Sequence, residues 1–387
     1  MSRQGPLRKR RFGLNYVPSK RWYYCWNDWN RDEIAEDFDA IASLGVDHLR
    51  VMTVWPFFQP NAGLVSPGHL RSLDEMMEEA GKRGLDVLLC PLTGWLSGFP
   101  FLPPDVTALD IFRSEEVFLR STRYFEALLG VAGGRENFLG FDFGNEINVL
   151  VPELPPAEGD AWGVKLAQWL RPKMAGKWLV NGVDHHPWFT GRTFSARHLV
   201  ENYDAVTVHA WPYFTSALTR GGLADLPAEH LSAFLTHLCR HTMQQADEEK
   251  PVWIQEFGCT KTWGTEREGA EYLRKSVENT VRAGATWITW WCSHDINPAY
   301  KFDPCEYDMG LITTDNKIKP LGEIYKDLIH SLANGEITVE SLYQGFGDDF
   351  KPAMTATLPP GQWLEQNLAT TTWHKFDEYL KLEEEGW

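Results

Sequence analysis

The sequence lacks the features that mark membrane proteins and nucleic-acid-binding proteins. No apolar run reaches the ~18 residues that a membrane-spanning helix needs, and the N-terminal residues have no apolar centre like that of a signal peptide. Basic residues are outnumbered, with 37 Lys and Arg against 53 Asp and Glu, so the formal net charge is -16. Because this charge repels phosphate groups, we predict no nucleic-acid or membrane partner. The missing apolar run and signal-peptide centre predict a cytoplasmic protein.

Cysteine is scarce and widely spaced. The six cysteines never form the close pairs that are typical of zinc sites and thiol redox motifs. We therefore predict buried, reduced thiols, no bound metal and no cofactor. Aromatic residues, in contrast, are abundant, with 18 Trp, 21 Phe and 12 Tyr. Core packing explains some of them, and tryptophans near loops would offer flat faces on which sugar rings stack.

Apolar runs alternate with helical periods along most of the chain, which predicts an α/β protein with a (β/α)8 TIM-barrel fold. The length of 387 residues suits such a barrel with loop insertions. Asn30 and Glu33 form a capping-box signature for the first helix, and Gly45 can end it. The eight predicted strands are Phe12 to Val17, His48 to Val54, Asp86 to Leu92, Phe138 to Phe143, Trp178 to Val183, Ala205 to His209, Val252 to Phe257 and Thr286 to Cys292.

The chain is longer than these eight units require. We assign residues 1–334 to the catalytic barrel and residues 335–387 to a C-terminal extension packed on it. Within the extension, residues 339–343 and 355–358 have strand character and residues 373–382 have helical character.

Two glutamates stand at the ends of predicted strands. Glu146 follows the fourth strand, within Gly144-Asn145-Glu146, and Glu256 ends the seventh. Because the C-terminal ends of barrel strands form the catalytic face, both carboxylates point toward one mouth. Retaining cleavage of an acetal needs one acid and one nucleophilic carboxylate, about 5 to 5.5 Å apart. Either glutamate alone could be a salt-bridged strand-end residue, but two at matched strand ends disfavour coincidence.

These glutamates belong to a series of motifs that resembles glycoside hydrolase clan A and, within it, family 5. The motifs are Leu49-Arg50-Val51, Gly144-Asn145-Glu146, Val208-His209, Glu256-Phe257-Gly258 and Trp290-Trp291. The resemblance implies that Glu146 is the general acid/base and Glu256 the nucleophile. It also implies that Arg50 keeps the nucleophile ionised, that Asn145 donates to the sugar 2-hydroxyl and that His209 joins the carboxylate network.

The chain departs from the family pattern in two places. Trp211 stands where many members have a tyrosine that hydrogen-bonds to the nucleophile. Since an indole cannot act as an acceptor, we expect Tyr213 to substitute or the contact to be absent. At the third strand, the run from Pro91 to Trp95 replaces a histidine often found in endo-acting cellulases, which argues against a typical cellulase.

Three further runs resemble the bacterial enzymes of family 5 subfamily 18. They are the runs from Phe12 to Ser19, from Leu44 to Val51 and from Trp291 to Asp295. This resemblance implies an exo-β-mannosidase that acts on a small oligosaccharide, mannosyl-β-1,4-N-acetylglucosamine of N-glycan cores. A cytoplasmic enzyme fits, because disaccharides can be imported and polymers cannot.

Several residues are candidates for contacts with the sugar. We expect Trp291 to stack on it, although strand alternation leaves Trp290 as the alternative. His294 and Asp295 are candidates for closing the pocket, and Asp295 can instead cap a turn. A tryptophan cluster can either close the pocket or only cover the barrel rim. It consists of Trp22, Trp26 and Trp29.

Other functions stay open at this point. An endo-β-1,4-mannanase or another family 5 β-glycosidase is the nearest alternative. A metal-dependent barrel hydrolase is disfavoured, because the first strand lacks the His-x-His of such enzymes. The histidines that suggest it are His185, His186, His209 and His294. A non-catalytic sugar-binding protein is the most distant alternative. The sequence does not fix the oligomeric state.

Overall fold

A computed structural model describes residues 10–335, 337–347, 350 and 370–385. The predicted (β/α)8 TIM barrel is confirmed, and all eight predicted strands are present with boundaries shifted by no more than two residues. The strands are β1 (Arg11–Asn15), β2 (His48–Met52), β3 (Asp86–Cys90), β4 (Phe138–Asn145), β5 (Trp178–Gly182), β6 (Val206–His209), β7 (Val252–Glu256) and β8 (Trp287–Trp290).

The strands pair in parallel in the order β5-β4-β3-β2-β1-β8-β7-β6. Backbone hydrogen bonds join the two outer strands of this order, from Asp204 N to Leu179 O at 2.9 Å and from His209 N to Val183 O at 3.1 Å. These bonds complete the ring, so the C-terminal ends of all eight strands meet on one face.

Helices surround the barrel and begin where the sequence supplies caps. The side chain of Asn30 accepts hydrogen bonds from the backbone N–H groups of Asp32 and Glu33, which starts the first helix as predicted. The helices are α1 (Arg31–Ser43), α2 (Trp55–Phe58), α3 (Pro67–Lys82), α4 (Ala108–Arg113), α5 (Glu115–Ala132), α6 (Ile147–Leu150), α7 (Pro156–Leu170), α8 (His186–Thr190), α9 (Ala196–Glu201), α10 (Leu226–Gln245), α11 (Glu266–Arg282), α12 (Pro320–Leu332) and α13 (Thr371–Glu385). Among the described residues, no helix is both long and apolar enough to span a membrane.

Two smaller kinds of element shape the loops. A short antiparallel hairpin of Gly94–Leu96 and Phe99–Phe101 follows β3. The 3-10 turns are Trp22–Trp26, Arg171–Lys173, Ala217–Thr219, Pro304–Glu306 and Gln344–Phe346.

Near the N-terminal ends of the strands, the barrel interior is filled by aromatic side chains. Trp253 and Trp287 pack with ring centroids 4.7 Å apart, and the ring of His48 lies 4.9 Å from that of Trp287. Thr289 Oγ1 accepts a hydrogen bond from Trp253 Nε1 at 2.7 Å, so the buried indole N–H is satisfied. Gly13 makes room for this layer, because a Cβ there would lie 2.3 Å from His48 Nε2. Some of the tryptophans are therefore core residues beneath the catalytic face.

The described part of the C-terminal extension lies against the outer helices. In α13, the ring of Phe376 is 4.8 Å from that of Phe234 in α10. The helical character predicted for residues 373–382 is confirmed, and the strand predicted for residues 339–343 is wrong, since these residues have no regular secondary structure. The strand predicted for residues 355–358 lies outside the described residues. The domain boundary at residues 334 and 335 stays a prediction.

Candidate active site

Glu146 and Glu256 meet at the mouth of the barrel. Glu256 is the last residue of β7, and Glu146 follows β4 in a left-handed backbone conformation with φ 47°. His209, which ends β6, places Nδ1 2.8 Å from Glu146 Oε1 and 3.2 Å from Glu256 Oε2. A carboxylate oxygen of Glu146 lies within 4.8 Å of a carboxylate oxygen of Glu256. This separation agrees with the about 5 to 5.5 Å of retaining glycosidases and is shorter than the about 6.5 to 9.5 Å of inverting ones.

Arg50 holds Glu256 from beneath. Its fully buried guanidinium donates to Glu256 Oε1 at 2.6 Å, to Asp142 Oδ2 at 2.8 Å and to Asn145 Oδ1 at 2.8 Å. Burial by itself lowers the pKa of Arg50, but the negative charges of Asp142 and Glu256 raise it overall, so the side chain stays charged. Gly182 leaves space for this pairing, because a Cβ there would lie 2.4 Å from Asp142 Oδ2 and 2.6 Å from Arg50 Nη2.

Trp211 also binds Glu256, and here the sequence expectation was wrong. Its Nε1 donates to Glu256 Oε2 at 3.2 Å. A carboxylate needs a donor, so an indole N–H can take the place of a phenol O–H. Tyr213 does not substitute for it: its side chain is 44% exposed and stacks on Trp263, with ring centroids 5.5 Å apart.

Burial raises the pKa of both glutamates. Burial and the negative charge of Asp184 raise the pKa of Glu146 to about 8, against the lowering effects of Arg50 and His186. Burial raises the pKa of Glu256 to about 7, against the lowering effects of His209 and Arg50. Only Glu256 is in direct contact with the guanidinium of Arg50, which favours its ionised form. Double displacement requires an ionised nucleophile that faces a protonated acid.

A cavity of about 420 Å³ opens above this pair. Six of the residues predicted to form the site line it, namely Asn145, Glu146, Trp211, Tyr213, Glu256 and Trp291. Trp290, the alternative to Trp291, points away, and its Nε1 donates to the backbone carbonyl of Met309 at 3.0 Å. Arg50 and His209 reach the glutamates from below rather than facing the cavity.

His294 and Asp295 do not line this cavity, in contrast to the sequence prediction. His294 is fully buried, and its Nε2 lies 2.8 Å from Asn316 Oδ1. Asp295 Oδ1 accepts a hydrogen bond from Lys319 Nζ at 2.6 Å and one from the backbone N–H of Gly310 at 3.0 Å. Because the chain turns away from the mouth after β8, both side chains tie the β8 loop to the segment before α12.

The tryptophan cluster also lies outside the cavity lining. Trp26 stacks on Trp29 with ring centroids 5.4 Å apart, and its Nε1 donates to the backbone carbonyl of Met52 at 3.0 Å. Trp22 is buried beneath the loops that follow β3 and β8. These side chains cover the rim and support the loops.

Sequence reasoning missed some of the residues that line the cavity. Ser97 comes from the hairpin after β3, Trp263 from the loop after β7 and Glu306 from the loop after β8. The only signal in the sequence is that each follows a barrel strand at the catalytic end. No spacing motif marks them.

Two groups of side chains among the described residues bring enough donors together to consider a metal ion. They are Glu146-His209-Glu256 and Asp184-His185-His186. In the first group, the positive guanidinium of Arg50 touches Glu256 and opposes a second cation. In the second, Asp184 already accepts from Asn148 Nδ2 at 2.6 Å and pairs with His186.

Comparison with known proteins gives relatives by structure only, since no protein-family model and no curated protein matches the chain. A subfamily 18 enzyme of family 5 from Streptomyces cattleya, solved with GlcNAc, superposes with a TM-score of 0.83 and is 27% identical, over 98% of this chain and 92% of that one. A variant of it was solved with Manβ1-4GlcNAc.

Two further relatives are more distant. A subfamily 18 variant from Bifidobacterium longum, also in complex with Manβ1-4GlcNAc, has a TM-score of 0.73 and 26% identity, over 83% of this chain and 78% of that one. An exo-β-1,4-mannosidase from Opitutaceae bacterium strain TAV5 has a TM-score of 0.73 and 25% identity, over 84% of this chain and 60% of that one. The chain is a glycoside hydrolase, and its structure is similar to those of the family 5 subfamily 18 enzymes.

Proposed function

We propose that the enzyme is a retaining exo-β-mannosidase that removes terminal β-linked mannose, with Glu256 as nucleophile and Glu146 as general acid/base. The observation that carries this proposal is the carboxylate pair within 4.8 Å in a cavity walled by tryptophans. The choice of mannose rests on the relatives from Streptomyces cattleya and Bifidobacterium longum that hold Manβ1-4GlcNAc.

The reaction proceeds in two displacements. Glu256 attacks the anomeric carbon while Glu146 gives its proton to the glycosidic oxygen, so the leaving sugar departs neutral and a glycosyl-enzyme ester forms. Glu146, now ionised, then takes a proton from water as that water attacks the same carbon. The ester bond to Glu256 breaks and the sugar leaves with its original anomeric configuration.

The surrounding residues prepare these steps. Arg50 and Trp211 donate to the two oxygens of Glu256, which fixes the carboxylate and favours its ionised form. Asn145 has its amide held by Arg50 at Oδ1 and by the carbonyl of Trp95 at Nδ2. Its second N–H proton remains for the sugar 2-hydroxyl, whose hydrogen bond strengthens in the transition state.

Aromatic side chains would hold the two sugars. We place the terminal sugar against Trp291, which lines the cavity beside Glu256. We place the leaving sugar on the stacked pair of Tyr213 and Trp263, at the more exposed end of the cavity. Stacking of this kind uses the apolar C–H face of a pyranose and leaves its hydroxyls free for polar contacts.

Exo action is supported by a set of aromatic side chains that we call the aromatic wall, consisting of Trp22, Phe99, Phe101 and Phe302. The ring of Trp22 lies 5.5 Å from that of Phe101 and 4.9 Å from that of Phe302, and Phe99 lies 5.7 Å from Phe302. The wall thus packs the loops after β1, β3 and β8 against one another, and Phe99 and Phe302 directly adjoin the cavity-lining residues Gly98 and Asp303 in the sequence. An endo-acting mannanase would need a cleft that is open at both ends.

We propose mannosyl-β-1,4-N-acetylglucosamine as the substrate and the cytoplasm as the place of action. All six cysteines are free, which suits a reducing compartment. A cavity of about 420 Å³ suits a disaccharide that a cell can import. Fractionation of the source cells would test the location, and recovery of the enzyme outside the cytoplasm would contradict it.

A substrate panel tests the activity. We expect hydrolysis of aryl β-mannoside and of mannosyl-β-1,4-N-acetylglucosamine, little hydrolysis of aryl β-glucoside and β-galactoside, and no shortening of polymeric mannan from within. Cleavage of mannan into oligosaccharides would favour the endo alternative. Activity confined to another glycoside would overturn the choice of mannose, and binding without hydrolysis would favour a sugar-binding protein.

A further inference from the structure

A second cavity, of about 380 Å³, is formed by the loops after β1, β3 and β8. It does not contain Glu146 or Glu256, and no step of the proposed reaction involves it. We call it the aromatic pocket. The four residues of the aromatic wall line it together with Pro100, and Tyr24, Tyr300 and Lys301 complete the lining.

Hydrogen bonds within the loops hold the sides of this pocket in place. Tyr307 Oη donates to the backbone carbonyl of Tyr300 at 2.8 Å and accepts from the backbone N–H of Phe302 at 3.0 Å. The strand Phe99–Phe101 pairs with Gly94–Leu96 in the hairpin after β3. The pocket is therefore formed before any ligand arrives, as binding sites for small molecules usually are.

Trp22 gives the pocket a donor without a partner. Its side chain is 1% exposed, and its Nε1 is buried and makes no hydrogen bond to any described residue. A buried indole N–H usually has an acceptor, because leaving it without one is costly. A ligand that brings an acceptor oxygen into the pocket lined by Trp22 can relieve this cost.

The rest of the lining combines flat apolar rings with exposed polar groups. Tyr24 is 41% exposed, and its ring centroid lies 5.6 Å from that of Tyr300. Lys301 is exposed beside them in the chain. Aromatic rings suit the C–H face of a pyranose, and the phenol and ammonium groups can bind its hydroxyls. A concave site of this size and composition fits a small sugar better than a protein surface.

We propose that the aromatic pocket is a second sugar-binding site, which holds one pyranose unit of an oligosaccharide on its rings and an acceptor oxygen of that unit on Trp22 Nε1. This inference goes beyond the proposed function, since binding in the pocket requires no hydrolysis. An acetamido group offers a carbonyl acceptor for the indole and a methyl group that packs on the rings. The pocket therefore favours N-acetylglucosamine over mannose.

The test follows the indole N–H signals of the full chain, labelled with 15N at its tryptophans, by NMR during titration with N-acetylglucosamine and with mannose. Trp22→Phe removes one signal and so assigns Trp22, and the signal of Trp211 reports on the catalytic cavity. We expect the Trp22 signal to move to saturation, at a lower concentration of N-acetylglucosamine than of mannose. Tyr300→Ala removes one ring of the pocket and should raise the Kd read from this signal by about 3- to 10-fold. Leu119→Ala, at an exposed position in α5 outside both cavities, is the matched control and should not change it.

A Trp22 signal that neither sugar moves, or that moves without saturating, would overturn the inference. The same holds if it follows the Trp211 signal with one Kd and Tyr300→Ala leaves that Kd unchanged, because the shift would then come from the catalytic cavity. A signal that depends on protein concentration without sugar would assign the pocket to a second copy of the chain. If Tyr300→Ala does not fold, Tyr24→Ala gives the same comparison. Movement of Trp22 without movement of Trp211 would support the pocket and count against sugar binding beside Glu256, so failure of the proposed function is distinguishable.

Discussion

Replacing Trp211 by phenylalanine should destabilise the ionised form of Glu256, the proposed nucleophile. The substitution keeps an aromatic ring but removes the Nε1–H that donates to Glu256 Oε2 at 3.2 Å. The other oxygen keeps its bond from Arg50 at 2.6 Å, so the carboxylate loses one of two charge-assisted partners.

The magnitude follows from the length of the bond. Hydrogen bonds to charged groups contribute about 1.5–3 kcal/mol, and 3.2 Å is long for one, so we take the lower end. A loss of about 1.4 kcal/mol corresponds to a tenfold change and to about one pKa unit. The Trp211 bond lowers the pKa of Glu256, which burial raises to about 7, so its removal raises that pKa further. Because Glu256 must be ionised, the acidic limb of the kcat/KM profile moves to higher pH.

The assay is the pH dependence of kcat/KM on aryl β-mannoside. We expect Trp211→Phe to lose about tenfold at neutral pH and to shift the acidic limb upward by up to about one unit. Trp253→Phe is the matched control, because Trp253 lies on the same strand as Glu256. The substitution removes a buried hydrogen bond of 2.7 Å from the indole N–H of Trp253 to Thr289 Oγ1. That variant should lose stability and keep its pH profile. An unshifted limb in Trp211→Phe, or equal shifts in both variants, would refute the reasoning.

Three further predictions concern the acid/base residue and the packing beneath the site. Glu146→Gln should slow mannosyl-β-1,4-N-acetylglucosamine far more than an aryl β-mannoside with an acidic leaving group, as steady-state rates would show; equal losses would contradict its role as the acid. Asp184→Asn should lower the pKa of Glu146 and move the basic limb of the profile to lower pH, because Asp184 raises that pKa in the wild type; an unmoved limb would contradict this. Gly182→Ala should destabilise the fold by about 1–3 kcal/mol in chemical denaturation, since its Cβ would press on the pair of Arg50 and Asp142; wild-type stability would contradict the close packing.

Local patterns in the sequence were sufficient to predict the barrel and its two glutamates. Parallel strands that are buried on both faces appear in the sequence as short apolar runs. Such runs precede helices with their own caps, as at Asn30. Glu146 and Glu256 stand at the ends of such runs, where the barrel geometry alone directs them to one mouth. The strand positions therefore also fixed which residues could share a site.

Local sequence patterns could not predict the contacts between loops. Ser97 and Glu306 are far apart in the sequence and come together only because the loops after β3 and β8 pack through the aromatic wall. The sequence made His294 and Asp295 candidates for closing the pocket, but bonds to Asn316 and Lys319 hold them outside its lining.

The donor role of Trp211 was missed for a chemical reason. The sequence has a tryptophan where a hydroxyl is expected, and because an indole lacks an acceptor we expected either Tyr213 to substitute or the contact to be absent. The geometry shows that a carboxylate partner needs only the indole N–H.

Trapping of the glycosyl-enzyme tests the central claim most directly. A 2-deoxy-2-fluoro-β-mannoside with a good leaving group slows the second displacement more than the release of the leaving group, so the covalent intermediate accumulates. Mass spectrometry of the peptides should then find the fluorosugar on Glu256, and Glu256→Ala should carry none. A label on another residue, or turnover with no covalent intermediate and an inverted product, would contradict the assignment of Glu256 as the nucleophile of a retaining enzyme.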